Sequence, residues 1–238
     1  MAAMCFAEGA FAQRWSPQRN VEVIVPSSAG GSLDTTGRTI TRIWSDLKLL
    51  TVSSSISNRP GGGHAVAYNF LAQRAGDPHI MAVTSMTLLA NHITGHIPQT
   101  YTDFTPLSVL LTEYIAIAVR AESPLKTGKD LIDALRKAPN SLSLALSSAA
   151  GGTHHMSFAM PLLSGGVDVT KAKFVVFNSS GEAVTALLGG HVDVISAGTV
   201  QVAPFVTSGK LRVLAVSAPR RIGGELAAAP TWPELGYK

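Results

Sequence analysis

The sequence predicts an α/β fold in which mainly parallel sheets are flanked by helices and the chain divides into two lobes. Short runs rich in β-branched residues alternate with amphipathic helical patterns, which is typical of strand, crossover helix, strand units. Four turns rich in Gly and Ser follow predicted strands, two in each half of the chain. Because ligands bind at the carboxyl ends of parallel strands, we expect these turns to line a cleft between the lobes.

The predicted strands and helices follow from residue spacing. Strands are predicted at residues 21–25, 52–56, 80–84, 142–146, 173–177, 192–196 and 211–216. One helix places Leu33, Gly37, Ile40, Trp44 and Leu47 on a single face, at a spacing of three and four residues. A second helix is predicted over residues 131–138 behind a Thr127 cap, and a third over residues 156–163.

Composition excludes several classes of protein. The chain has 238 residues, of which 46% are hydrophobic and 14% charged, so it can bury a substantial core. Its apolar runs are far shorter than the ~20 residues that cross a bilayer, so the protein is not expected to be membrane-embedded. The formal charge of +4 comes from scattered Lys and Arg, with no basic stripe, which argues against nucleic acid as a partner.

The first residues resemble the end of an export signal. Ala10-Phe11-Ala12 before Gln13 has the small-x-small pattern of a signal-peptide cleavage site, which predicts an exported protein. The single cysteine, Cys5, precedes this site, so the processed form is expected to contain no disulfide and no thiolate nucleophile. We therefore divide the chain into a signal remnant at residues 1–13, a first lobe at 14–116, a second lobe at 117–213 and a return segment to the first lobe at 214–238. Hinges are expected near residues 112–122 and 213–219.

The four turns have the chemistry of an anion site that does not activate its ligand. They lie at residues 26–32, 60–64, 147–153 and 178–181, and contain no Asp, Cys, Lys or Arg. Glycine lets the backbone approach a ligand, and a helix that starts after the turn offers unpaired N–H groups with a partial positive charge. Such turns predict reversible capture of a small carboxylate, without a cofactor.

Other interpretations use the same turns differently. Asp34 is interpreted as a first-turn helix residue that favours the positive end of the dipole, and Glu182 in the same way. The pairs His154–His155 and His92–His96 lack the neighbouring carboxylates and thiolates of a metal site, so no metal is expected. The enzymatic alternative is a hydrolase or transferase that uses Ser157, Ser179 or Ser180 with a histidine, although no G-x-S-x-G motif supports it.

Several segments, taken in order, resemble the solute receptors of tripartite tricarboxylate transporters, also called Bug receptors. The matching segments lie at residues 23–34, 58–63, 151–154, 181–190, 209–216 and 230–236. Ser27, where the family usually has an aromatic residue, and residues 77–80 depart from the pattern. Family members continue beyond the segment at 230–236, so the C-terminal part of the family fold is expected to be missing here.

The resemblance implies a type II periplasmic binding protein fold and a monomeric periplasmic receptor that passes its ligand to membrane permease subunits. A ligand-loaded sensor that docks a membrane kinase is the alternative within this class. The residues that the resemblance assigns to the ligand come from both lobes. They are Ser28, Ala29, Gly30, Gly31, Ser32, Gly62, Gly63, His64, Ser147, Ala149, Gly151, Thr153, His154, Ser179, Ser180, Gly181, Ala197 and Thr199.

Overall fold

The protein folds around two separate sheets, one in each half of the chain. The computed structural model describes residues 15–147 and 149–237. The predicted cleavage site and Cys5 lie outside the described residues. Among those described, no helix combines the length and apolar character needed to span a membrane.

The first lobe is a three-stranded parallel sheet with β1 at its centre, in the order β2-β1-β3. Its elements are β1 Val21–Val25, α1 Ser32–Asp46, β2 Ser54–Asn58, α2 Ala65–Ala72, β3 Ile80–Ala82 and α3 Thr87–Ile93. Helix α1 packs closely on the sheet at Gly37, where an added Cβ would lie 2.9 Å from Val25 Cγ2 and 3.2 Å from Ile56 Cδ1. The close packing explains a glycine inside this helix, where it otherwise costs stability.

The second lobe is a five-stranded mixed sheet in the order β6-β5-β7-β4-β8. Its elements are β4 Ile115–Arg120, α4 Gly128–Lys137, β5 Ser143–Ser147, α5 Thr153–Ser164, β6 Lys173–Phe177, α6 Ser180–Leu188, β7 Val194–Gly198, α7 Thr199–Thr207 and β8 Leu211–Ser217. Strand β5 pairs in parallel with β6 and β7, while β4 runs antiparallel to β7 and β8. The predicted α/β fold of mainly parallel sheets is therefore confirmed.

Both faces of the second sheet are buried, which explains the continuous apolar sequence of β4. Ala116 and Ala118 belong to the hydrophobic core on one face of the sheet, and Ile117 and Val119 to the core on the other. This alternation follows from the two-residue period of a strand. Because helices cover both faces, a ligand can approach this sheet at the ends of its strands.

The helix caps follow their sequence signals. Thr127 Oγ1 accepts a hydrogen bond from the Asp130 N–H at 3.1 Å, and the Asp130 carboxylate accepts one from the Thr127 N–H at 2.9 Å. This reciprocal pair is a capping box, and it confirms the predicted cap of α4.

The expected return to the first lobe is wrong for the described part of residues 214–237. Strand β8 pairs with β4, and Val216 forms a further parallel bridge with Thr231. Trp232 then packs into the same core as Ile117, because burying its indole ring against this sheet removes a large apolar area from water. The expected hinge at 213–219 is therefore wrong as well. The described connection between the two sheets is the stretch 105–114, which has no regular secondary structure.

Candidate functional site

A small cavity lies between the two lobes, at the carboxyl ends of strands from both sheets. Its lining residues come from four strand-to-helix turns and from the connection between the lobes. They are Ser27, Gly31, Ser32, Leu33, Ser85, Thr87, Glu113, Ser147, Thr153, His154, Ser179 and Ser180. The cavity has a volume of about 30 Å³, which corresponds to roughly one or two water molecules. A larger ligand therefore has to enter while the lobes are apart.

The same four-residue turn starts a helix on each side of this cavity. Residues 29–32 read Ala-Gly-Gly-Ser and lead into α1, which begins at Ser32. Residues 150–153 read Ala-Gly-Gly-Thr and lead into α5, which begins at Thr153. The first glycine of each turn has φ +82°, which glycine adopts without the penalty that a Cβ imposes. The second glycine is the N-cap, with extended backbone in both turns. The two lobes therefore present equivalent helix starts to one cavity.

Both helix starts lack a side-chain cap. A glycine N-cap has no side-chain oxygen that could accept a hydrogen bond from the free N–H groups of the first turn. Thr127 at the start of α4 and Ser179 at the start of α6 do accept such a hydrogen bond. Their amide groups and the positive ends of the two helix dipoles favour an anion between them. No Lys or Arg is among the described residues that line the cavity. A carboxylate would therefore be held by neutral donors.

Asp34 fixes the first of these turns. Its carboxylate accepts hydrogen bonds from the Gly30 N–H at 3.0 Å, from Arg38 Nε at 2.8 Å and from Asn58 Nδ2 at 2.9 Å. Burial opposes ionisation of Asp34, but these hydrogen bonds outweigh it and lower its pKa. Asn58 also donates to the Ser27 carbonyl at 2.9 Å, which ties the turn to β2. Asp34 is in the first turn of α1, as predicted, and its contacts shape the loop.

His154 lies at the base of the second-lobe wall, within a network of serine hydroxyls. Its Nδ1 is 3.2 Å from Ser196 Oγ, and its Nε2 is 3.5 Å from Ser180 Oγ. Ser196 Oγ is in turn 2.8 Å from Ser157 Oγ. The ring is 7% exposed, and burial lowers the pKa of His154 to about 4. The side chain is therefore neutral at physiological pH.

The lobes already touch around the cavity. The Ser28 N–H donates to the Asn178 carbonyl at 3.3 Å, and Ser32 Oγ donates to Gln201 Oε1 at 2.9 Å. Gly181 lies so close to the first lobe that an added Cβ would be 2.9 Å from the Gly30 carbonyl oxygen. These contacts describe a closed arrangement of the two walls.

The structure brings only some of the predicted ligand residues to the cavity. Those that line it are Gly31, Ser32, Ser147, Thr153, His154, Ser179 and Ser180. A separate, open groove lies on the outer side of the contact between the lobes. It is lined by the predicted residues Ala29, Gly30 and Gly181, together with Glu182.

The remaining predicted residues lie near the cavity without lining it. Gly151 faces Ala90 and Thr94 of the first lobe, and His64 is 2% exposed beside Tyr68. Ala197 is buried in the second core, and the Thr199 N–H donates to the Tyr114 carbonyl at 3.1 Å. The other four are Ser28, whose N–H donates to the Asn178 carbonyl, Gly62 and Gly63, which form a short turn before α2, and Ala149, which is buried.

Five residues that line the cavity were missed. Ser27 lies in the predicted turn at residues 26–32 but was left out of the ligand residues, where it was treated only as a departure from the family pattern. Ser85 and Thr87 follow β3, so the strand-end argument could have identified them. Leu33 was assigned only to a helix face. Glu113 lies in the connection before β4, where no local pattern marks it.

A family model matches most of the chain. The model described as the tripartite tricarboxylate transporter family receptor matches residues 45–238. A protein encoded in the gbd 5′ region of Cupriavidus necator is 28% identical over 221 residues, which are 92% of this chain and 65% of that protein. BugT of Bordetella pertussis is 26% identical over 225 residues, or 93% of this chain and 67% of BugT. This chain thus spans about two thirds of the length of these relatives.

Several solved structures share the fold of this chain. The periplasmic binding protein BugD matches with a TM-score of 0.81 and 25% identity, over 93% of this chain and 73% of BugD. MatC from Rhodopseudomonas palustris with bound malate matches with a TM-score of 0.79 and 26% identity, covering 92% of this chain and 74% of MatC. A second R. palustris protein, with adipate, matches with a TM-score of 0.81 and 27% identity, covering 92% and 72%. The chain therefore belongs to the tripartite tricarboxylate transporter receptor family.

Proposed function

We propose that this protein is a periplasmic solute receptor that binds a small carboxylate between its lobes and delivers it to the permease of a tripartite tricarboxylate-type transporter. The observation that carries the proposal is the pair of uncapped helix starts, α1 and α5, that face one cavity. Together they offer N–H donors from both lobes to one anion. A ligand that contacts both lobes favours the closed arrangement, and closure is the signal that a permease can recognise.

The ligands of two similar proteins support a carboxylate. MatC was solved with malate and another similar protein with adipate, and both ligands are dicarboxylic acids. Neutral amide and hydroxyl donors hold a carboxylate by charge-assisted hydrogen bonds without altering its chemistry. That property suits a carrier, which must release its ligand unchanged.

The hydrolase alternative lacks an acid that orients the histidine. A serine, histidine and acid triad needs a carboxylate at the histidine nitrogen remote from the nucleophile. Here Nδ1 of His154 contacts the Ser196 hydroxyl, while Glu182 accepts a hydrogen bond from the Asn178 N–H at 3.1 Å. The low pKa of His154 also makes it a weak base near neutral pH. The contacts of the described residues therefore favour binding over catalysis.

A thermal-shift screen tests the proposal. A ligand that binds only the folded protein raises its melting temperature, so mono-, di- and tricarboxylic acids are compared at one concentration. We expect one or a few acids to raise the melting temperature, and NMR to recover each of them unchanged after prolonged incubation. A cooperative melt that no acid shifts would contradict the proposal, and turnover of a bound acid would favour the hydrolase.

Genetics separates the transporter from the sensor. Deleting the gene should abolish uptake of the acid that the screen identifies if the partner is a permease. Loss of transcriptional induction with uptake intact would instead indicate a sensor that docks a membrane kinase.

A further inference from the structure

A pair of buried histidines lies where the two lobes meet. His154 is in the first turn of α5 and lines the cavity from the second lobe. His64 ends the turn before α2 in the first lobe, and the two rings are close enough to interact electrostatically. The lobes are in contact beside them, since a Cβ added to Gly152 would lie 3.0 Å from Thr87 Oγ1. The pair therefore spans a contact that breaks when the cleft opens.

The turn that carries His64 has an unusual backbone conformation. Residues 61–64 all have positive φ, between +56° and +117°, which a residue other than glycine rarely adopts. Asn91 of α3 supports the turn by donating a hydrogen bond from Nδ2 to the Gly63 carbonyl. Neither ring nitrogen of His64 has a hydrogen-bond partner among the described residues. The first lobe thus fixes the ring in place without an acceptor that would stabilise a charged imidazolium.

The described groups around the pair also disfavour a proton there. The Tyr68 ring of α2 lies 6.2 Å from the His64 ring, and serine hydroxyls contact His154. Burial is the main cause that lowers the pKa of both histidines to about 4. Glu113 lines the same cavity, and burial raises its pKa. It opposes the histidines, because a carboxyl group takes up a proton more readily while the cleft is closed.

We propose that His64 and His154 form a proton-sensitive contact between the lobes, which opens the cleft and lowers ligand affinity as the medium becomes acidic. The loss of affinity rests on the proposed function, because it assumes that the ligand is held by closure. The opening itself requires no ligand.

Opening removes the burial that keeps both rings neutral. When the lobes separate, water reaches the cavity wall at His154, and His64 moves away from it with the other lobe. The pKa of each hydrated ring returns towards 6.5. Between pH 6.5 and 4 the open state therefore binds more protons than the closed state, so acid favours opening. While the cleft stays closed, the same protonation weakens the fold.

Scattering tests the opening without a ligand. Small-angle X-ray scattering of the ligand-free chain measures the radius of gyration at pH 7.5 and 5.5, and circular dichroism verifies that the chain is folded at both. The ratio of open to closed molecules should rise about tenfold for each histidine that opening hydrates. We expect a larger radius at pH 5.5, and a smaller increase in His64→Asn.

Calorimetry tests the loss of affinity, with malate and adipate as probes. Between pH 7.5 and 5.5 the affinity of wild-type protein should fall by about tenfold more than that of His64→Asn, which is the share of one histidine. Protonation of the probe and of Glu113 is common to both proteins, so the comparison cancels it. His92→Asn is the matched control, because this histidine is exposed on α3, and it should keep the wild-type fall.

The outcomes separate the two proposals. An equal radius at both pH values, together with an equal fall in wild type and His64→Asn, overturns the proton-sensitive contact and leaves the receptor function intact. If neither probe binds, the radius alone decides the contact, and an equal value overturns it. The receptor function fails only if the thermal-shift screen finds no ligand.

A proton count replaces the variant if His64→Asn does not fold. Calorimetry in two buffers of different ionisation enthalpy counts the protons that wild-type protein releases when a probe binds at pH 5.5. We expect about one proton per histidine beyond those that the probe carries. No such excess would overturn the contact.

Discussion

Two buried histidines lie close to each other, one in each lobe. His64 in the first lobe is 2% exposed, and neither of its ring nitrogens has a hydrogen-bond partner among the described residues, whereas His154 in the second lobe contacts serine hydroxyls. Burial, followed by the proximity of His154, lowers the pKa of His64 to about 4. The folded protein therefore accommodates the neutral form of both rings.

Acid should destabilise the fold through these histidines. The unfolded chain takes up a proton at each histidine near pH 6.5, but the folded chain does so only near pH 4. In the closed arrangement, the contribution of the neutral histidines to the free energy of unfolding is therefore fully present above pH 6.5 and is lost as the pH drops towards 4. Between pH 7 and 5 the loss is roughly 2 kcal/mol per histidine. Urea unfolding at these two pH values measures the loss. His64→Asn keeps a residue type that tolerates the positive φ and should remove about half of that loss. If the loss of stability between pH 7 and 5 is unchanged in this variant, His64 is not a source of the acid sensitivity.

At the scale of elements, the important contrast is between capped and uncapped helices. Helix α4 begins with a complete capping box, which stabilises it without any ligand. Helices α1 and α5 begin with glycine and leave their first amide groups to other partners. Helices α2, α3 and α7 also lack a side-chain cap, so the position of α1 and α5 at the cavity distinguishes them as candidate anion sites.

Gly31→Asp should separate stability from binding. The new carboxylate can accept hydrogen bonds from the free N–H groups of α1, so the free energy of unfolding should rise by roughly a few tenths of a kcal/mol. The same charge occupies the proposed anion position, so affinity for the acid found in the screen should fall by at least about tenfold. Gly31→Ala is the control for bulk, because an added Cβ already lies 3.1 Å from Ser179 Cβ. Calorimetry that finds equal affinity for both variants would place the anion elsewhere.

Sequence patterns located most elements but not every strand end. Strands β1 and β6 were predicted with the bounds that the structure has, because apolar runs and flanking turns define both ends. The predictions for β2 and β7 were two residues too early, since β-branched residues extend beyond the pairing of each strand with its neighbour. Ser85 and Thr87 were missed as cavity residues because β3 is only three residues long and its turn lacks the Gly-rich signal.

At the scale of the whole molecule, the two lobes close on each other through their loops. The contacts Ser28–Asn178 and Ser32–Gln201 join the walls directly, and Gly181 approaches Gly30 at a distance that only glycine permits. A cavity of about 30 Å³ cannot contain a dicarboxylate in this arrangement. The contacts between the walls must therefore separate before the ligand enters, and part of them must re-form around it.

Long-range connections were the least predictable part of the fold. The periodicity of residues 211–216 indicates a strand but not which sheet it joins, so the pairing of β8 with β4 was missed. For the same reason, local sequence could not show that Glu113 in the connection between the lobes would form a hydrogen bond with Ser32. These contacts depend on how the two sheets are arranged in space.

The most direct test of the central claim is a crystal structure of this chain with the acid that binds most tightly. We predict the carboxylate between the lobes, with its oxygens about 3 Å from backbone nitrogen atoms at the starts of both α1 and α5. A carboxylate bound in the outer groove beside Gly181 and Glu182, or anywhere else outside the cleft, would contradict the account.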